Sequence, residues 1–175
     1  MRTEFDPDDA VAIDHAPTRQ SSIAAVAAGV LAALATVPFA LLALPVAFGG
    51  VTILAAGLFV RPSRPMVSIG TAGLFLSVLV AGGFGAPVEF LLFGGAATVI
   101  AWDLGGYAID LGEQVGRHGD TARNETIHAS ISAVVALAAA AVGYAVSLVA
   151  GGGRPMAAVA TLLFGIVFLV WAVRT

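Results

Sequence analysis

Residues 127–149 read Ile127-His-Ala-Ser-Ile-Ser-Ala-Val-Val-Ala-Leu-Ala-Ala-Ala-Ala-Val-Gly-Tyr-Ala-Val-Ser-Leu-Val149, and no Asp, Glu, Lys or Arg occurs between Glu125 and Arg154. A hydrocarbon core of about 30 Å needs about 20 apolar residues at about 1.5 Å rise each. This stretch is therefore long enough to cross a bilayer as a single helix. Its small residues fall into a pattern: Ala129, Ala133, Ala136, Ala140, Gly143 and Ser147 recur at spacings of 4-3-4-3-4. On a helix that spacing makes one continuous stripe, with Ile131, Val135, Val142, Val146 and Val149 on the opposite face. Lipid tails are as apolar as leucine, so membrane helices associate where small residues let backbones approach. The stripe reads as a helix-packing seam. A subunit interface, and with it a homo-oligomer, is the alternative.

The rest of the chain has the same character. Its 175 residues are 59% hydrophobic and 11% charged, with a mean hydropathy of +0.97. Soluble domains carry about a quarter charged residues, so a soluble globular enzyme is excluded. The absence of Cys excludes a disulfide framework, a thiol nucleophile and a thiolate metal site. Arginine supplies all eight basic residues, and eleven acids bring the net charge to −3. That balance does not suit a nucleic-acid partner. No segment alternates polar and apolar residues with period two, so a β-barrel is excluded as well. The expected class is an all-α integral membrane protein.

Working outward from 127–149, punctuation by Gly, Pro and Arg predicts six spans, at about 22–42, 45–60, 66–81, 88–109, 127–149 and 156–173. Pro38 and Pro45 both suit a helix start, so the first turn could fall at either; a re-entrant 38–60, giving five spans, is the alternative. With six spans, Arg2, Arg19, Arg61, Arg64, Arg117, Arg123 and Arg174 share one side and only Arg154 lies on the other. The positive-inside rule then puts both termini in the cytoplasm and the chain in the cell membrane. Residues 1–20, with Glu4, Asp6, Asp8, Asp9 and Asp14, form an acidic cytoplasmic tail expected to be disordered. Residues 21–175 form a single transmembrane domain. Val80-Ala-Gly-Gly…Pro87 is echoed by Val149-Ala-Gly-Gly…Pro155, each followed by Phe-Gly and a late Trp (102 and 171). These echoes suggest three stacked helical hairpins.

Chemistry-bearing residues concentrate between Trp102 and His128. At 100° per residue Asp103, Asp110, Glu113 and Arg117 share one helix face, and Leu104, Ala108, Leu111 and Val115 share another. The fourth span is therefore expected to continue past the membrane as an amphipathic extension, with Glu113 and Arg117 an i,i+4 pair worth about 0.3–0.5 kcal/mol. Gly119 suits a helix C-terminus, Asp120 or Thr121 can cap the next helix, and Glu125 falls in its first turn. The expected result is a cytoplasmic helical hairpin between spans four and five.

Asp103 lies about 22 Å along the fourth span. It reads as a headgroup-boundary acid beside Trp102 and Tyr107, as a partner of Arg123 or Arg61, or as an ion or proton site. Glu125-Thr-Ile-His128 is half of a di-iron carboxylate motif. His15 and His118 supply no second half, so no metal, cofactor or haem is expected. Glu89, opening the fourth span, complements a helix dipole. No phosphate loop, nucleophile elbow or zincin motif is present.

Ala101-Trp-Asp103-Leu-Gly105, Ile109-Asp-Leu-Gly112-Glu-Gln-Val-Gly116-Arg117, Asp120-Thr-Ala-Arg123 and Ile127-His-Ala129, with Leu58-Phe59-Val60-Arg61 before them, resemble an uncharacterised family of small haloarchaeal multi-pass membrane proteins. The resemblance covers nearly the whole chain after the tail. It departs from that family's pattern at Gly106 and Asp110, where an acid and a small residue are usual. The resemblance implies a setting like that of proteins encoded beside MoxR-type AAA ATPases, and no assigned activity.

The expected function is a non-enzymatic membrane scaffold or accessory subunit. Its cytoplasmic hairpin, through Asp110, Glu113, Arg117 and Arg123, would dock soluble partners of an ATPase-linked assembly. The alternative is a small proton- or ion-coupled transporter with Asp103 as the intramembrane acid. An enzyme would need convergent catalytic groups, for which Glu113, His118, Glu125 and His128 are the only candidates.

Overall fold

The computed structural model of the chain describes residues 16–115 and 121–149. The acidic tail up to residue 15, the turn at 116–120 and the expected sixth span at 156–173 lie outside the described residues. The described residues form five α-helices and no strand: α1 Arg19–Thr36, α2 Ala43–Phe59, α3 Arg64–Gly83, α4 Val88–Val115 and α5 Ala122–Val149. Four stretches are long and apolar enough to cross a membrane, namely Arg19–Phe39, Arg64–Gly83, Val88–Gln114 and Ala122–Leu148; α2 is a shorter apolar helix of 17 residues.

Local chemistry explains the boundaries. Pro38 lacks an N–H and its ring crowds the preceding turn, so α1 tightens into a short 3-10 turn at Val37–Phe39 and ends before the expected residue 42. The chain then re-enters a helix at Ala43, which places Pro45 in the first turn, where a missing N–H costs nothing. At the start of α3, Ser63 is the N-cap and Pro65 lies in the first turn. The end of α3 is a Schellman motif. Gly85 takes φ +84°, Gly85 N–H reaches the Gly82 carbonyl at 3.1 Å, and Ala86 N–H reaches that of Ala81 at 3.0 Å. Pro87 follows and α4 begins at Val88. With 28 residues at about 1.5 Å each, α4 is about 42 Å long, more than a bilayer core of about 30 Å requires.

The helices do not pair as consecutive stacked hairpins. The most extensive interfaces join α1 to α4 and α2 to α3, pairs that the three-hairpin expectation assigned to different units. The reason is steric. A Cβ on Gly70 of α3 would stand 2.6 Å from the Leu54 nitrogen, and one on Gly50 of α2 would stand 2.8 Å from the Gly70 carbonyl. Backbone meets backbone there, the mode of association expected between apolar helices. Small residues also dominate the core, where Ala25, Ala28, Leu54, Val67, Leu74, Ala101, Leu104 and Ala108 form one buried cluster.

The end of α4 does not stand clear of the bundle as a free hairpin. Ala16 and Pro17 cross directly over Gly112, where any side chain would strike the Ala16 carbonyl. The Thr18 N–H donates to the Ala108 carbonyl at 3.1 Å. Helix α4 runs on to Val115, and the segment leading into α1 covers one side of its end. In contrast, α5 touches the bundle along a single face, made of Glu125, His128, Ala129, Ser132, Ala133, Ala136, Ala140, Gly143 and Ser147. A Cβ on Gly143 would meet Leu92 of α4 at 3.0 Å. The rest of α5, including Ile127, Ile131, Val134 and Val142, is exposed.

Candidate functional site

Two polar clusters and a set of arginines occupy the end of the bundle where α1, α3 and α5 begin. The first cluster surrounds Glu125, 5% exposed in the first turn of α5. Its Oε1 accepts from Thr121 Oγ1 at 2.7 Å. Its Oε2 accepts from Thr18 Oγ1 at 3.0 Å, from Ser21 N–H at 2.8 Å and from Ser21 Oγ at 2.6 Å. An isolated buried carboxylate is costly; four donors at these distances supply the charge-assisted hydrogen bonds that offset the lost hydration. Thr18 is the N-cap of α1, yet its hydroxyl caps nothing within its own helix. Glu125 takes that role from another helix.

The second cluster lies in the α4–α5 seam. Asp103 Oδ2 accepts from Ser132 Oγ and lies 2.8 Å from His128 Nε2. His128 and Ser132 are one helical turn apart on α5, so both reach the same residue of α4. The His128 ring stacks on Tyr107 with centroids 3.9 Å apart and planes 8° apart. Ser132 Oγ bonds Asp103 and the His128 backbone carbonyl, the latter at 3.0 Å, and not the His128 ring, hence the three residues are not arranged as a nucleophile, base and orienter. Asp103 is thus bonded to His128 and Ser132, and not to Arg123 or Arg61, the pairing that was one of its three readings from sequence.

Each of α1, α3 and α5 carries an arginine in its first turn, where the helix dipole disfavours a cation. Arg64 is relieved by an ion pair with Asp110 and by Glu113 at 3.6 Å. These two acids, expected on an open docking face, lean instead on the start of α3. Arg19, Arg61 and Arg123 are exposed. Arg117, the expected partner of Glu113, lies outside the described residues. Among the described residues no group of three His, Asp or Glu side chains gathers as a metal ion would require.

Residues 15–170 match the model of DUF7519, a family of unknown function. The chain belongs to DUF7519. No curated protein and no solved structure matches it. Every described helix falls inside the range matched to DUF7519, so both clusters and the arginines belong to the family portion of the chain.

Sequence reasoning singled out Asp103, Asp110, Glu113 and Arg123, but it missed Thr18, Ser21, Ser132 and Arg64 as their structural counterparts, and read Glu125 as a local dipole acid. One signal was available. Ser21 and Ser22 open an otherwise apolar helix, and hydroxyls there ask for a partner. Nothing in the sequence identifies that partner as Glu125.

Proposed function

We propose that the chain is a non-enzymatic integral membrane scaffold, embedded in the cell membrane with both termini cytoplasmic, whose charged end receives soluble partners. One observation carries this reading. Along the apolar lengths of the helices, hydroxyls turn back onto their own helix: Thr71 bonds Val67, Ser77 bonds Leu74 and Thr98 bonds Gly94 through the backbone carbonyls. Among the described residues every buried side-chain nitrogen and oxygen has a partner. A bundle packed on glycine backbones, with its polar groups internally satisfied, suits a rigid support better than a conduit. Among the described residues the charged side chains gather toward one end, with Glu89 at the opposite one.

At the charged end, Arg61, Glu113, Gln114, Arg123 and Asn124 are exposed and available for contact. The sixth span, 156–173, would return the C-terminus to this side. The resemblance noted above suggests an ATPase-linked assembly as the partner. Photo-crosslinkers at Gln114 and Asn124, activated in intact cells of the source organism, test the reading. Discrete adducts at these positions, absent at Phe84 on the opposite end, are expected. Recovery of the protein alone counts against a scaffold.

A second reading is favoured by the Asp103 cluster. A half-exposed acid bonded to an imidazole inside a helix seam is the kind of group that carries protons in transporters. In that case Asp103→Asn abolishes proton or ion flux in liposomes. Absence of flux by the wild-type protein disposes of this alternative.

A further inference from the structure

Among the described residues, the four carboxylates near the charged end each have a partner within the chain, Asp103 in His128 and Ser132, Asp110 and Glu113 in Arg64, and Glu125 in Thr18, Ser21 and Thr121, with Glu113 itself exposed. The arginines are not engaged in the same way. Among the described residues, Arg19, Arg61 and Arg123 are exposed and form no ion pair. At the first turns of α1 and α5, among the described residues, the exposed charge is cationic: Arg19 and Arg123 are exposed, whereas Glu125 is buried.

Arg19 and Arg123 stand in the first turns of α1 and α5, beside the residues that join the two helices. Gln20, next to Arg19, donates to Thr126, one turn beyond Arg123, at 3.2 Å. Ser21 bonds Glu125 alongside. Past these first turns the hydrogen bonds between α1 and α5 stop, and each helix packs mainly on α4 instead. The exposed residues that follow include large apolar ones: Ile23 and Leu31 on α1, at 52% and 48%, and Ile127 and Ile131 on α5, at 48% and 58%. The seam thus begins with two guanidinium groups and continues between helices with apolar surfaces.

A guanidinium presents a planar fork that matches the oxygen pair of a phosphate. Apolar surface starting within one turn of that fork matches hydrocarbon. A soluble acidic partner would satisfy only the first half of this arrangement, whereas an amphiphile satisfies both. We propose that the α1–α5 seam binds an anionic phospholipid, its phosphodiester held between Arg19 and Arg123 and an acyl chain lying along α1 and α5. This rests on the membrane reading above.

The test uses the full chain purified in detergent with equimolar phosphatidylglycerol and phosphatidylcholine, with retained lipid read by native mass spectrometry. The wild-type protein is expected to retain phosphatidylglycerol selectively. Arg19→Gln combined with Arg123→Gln is expected to lower retention about tenfold or more, the scale of losing charge-assisted hydrogen bonds. Arg61→Gln, which removes an exposed arginine at the α2–α3 turn, should leave retention unchanged. Equal retention by all variants, or an equal loss from Arg61→Gln, overturns the site in favour of diffuse surface charge. Competition by a soluble polyacidic peptide without loss of stability to phosphatidylcholine dilution also overturns it, in favour of a protein partner. Alkaline carbonate extraction separates the two levels. Release of the protein without detergent refutes the membrane reading itself, whereas resistance to extraction with unselective lipid retention refutes only the seam.

Discussion

Glu125 follows Ser21 by 104 residues, yet its Oε2 accepts the Ser21 backbone N–H at 2.8 Å. The beginning of α1 is thereby closed by the beginning of α5. The N–H groups of a helix's first turn have no partner within the helix, and a capping side chain from the same chain segment ordinarily meets one of them. Here the local N-cap residue, Thr18, gives its hydroxyl to the same Glu125 oxygen instead, at 3.0 Å.

This arrangement makes Glu125→Ala severe. It removes the acceptor shared by buried donors on Thr18, Ser21 and Thr121, and a loss of about 3 kcal/mol is expected. Glu125→Gln retains one carbonyl acceptor and should cost less. Glu113→Ala, at an exposed position, should cost about 0.5 kcal/mol or less. Thermal unfolding in detergent ranks the three. Equal midpoints for Glu125→Ala and Glu113→Ala would show that the cap contributes nothing.

Close approach of α2 and α3 gives a second expectation. The Cβ of Gly70→Ala would lie 2.6 Å from the Leu54 backbone nitrogen, a clash that no side-chain rotation relieves. About 1–3 kcal/mol of destabilisation is expected. Gly83→Ala, with nothing within 4 Å of the new methyl, should be neutral. If both variants melt together, the helices are not held at backbone contact.

For the seam between α4 and α5, a double-mutant cycle on Asp103→Ala and His128→Ala should give a coupling of about 1 kcal/mol, within the range measured for hydrogen bonds between membrane helices. The same cycle on Asp103 and Arg123 should give a value near zero. The reverse ranking would restore the arginine as the partner of Asp103.

Topology can be tested directly because the chain has no Cys. Single cysteines at Pro62 and Asn124, both exposed at the charged end, should react with an impermeant maleimide from the same side. Phe84→Cys, exposed at the Schellman turn, should react from the other. Labelling of all three from one side would contradict a membrane-crossing arrangement.

Much of the helical framework was legible in the sequence, because it depends on properties of neighbouring residues. Runs of apolar residues, Pro38, Pro45 and Gly85-Ala-Pro87 mark where helices run and break. The helical repeat alone groups Ala129, Ala133, Ala136, Ala140, Gly143 and Ser147, and these are less exposed than the valines and isoleucines around them. Hydropathy patterns do not say which helix lies beside which. Faces built from Ala, Gly, Leu and Val are nearly interchangeable in lipid-like surroundings, so the choice falls to the few positions where backbones can touch, such as Gly50 against Gly70. That choice brings α1 onto α4 and the start of α5 beside the start of α1. Only then does Glu125 become a cap, Asp103 meet His128, and Arg64 take Asp110. Helix formation follows the local chain, whereas the partner of each charge follows from backbone contacts between residues far apart in sequence.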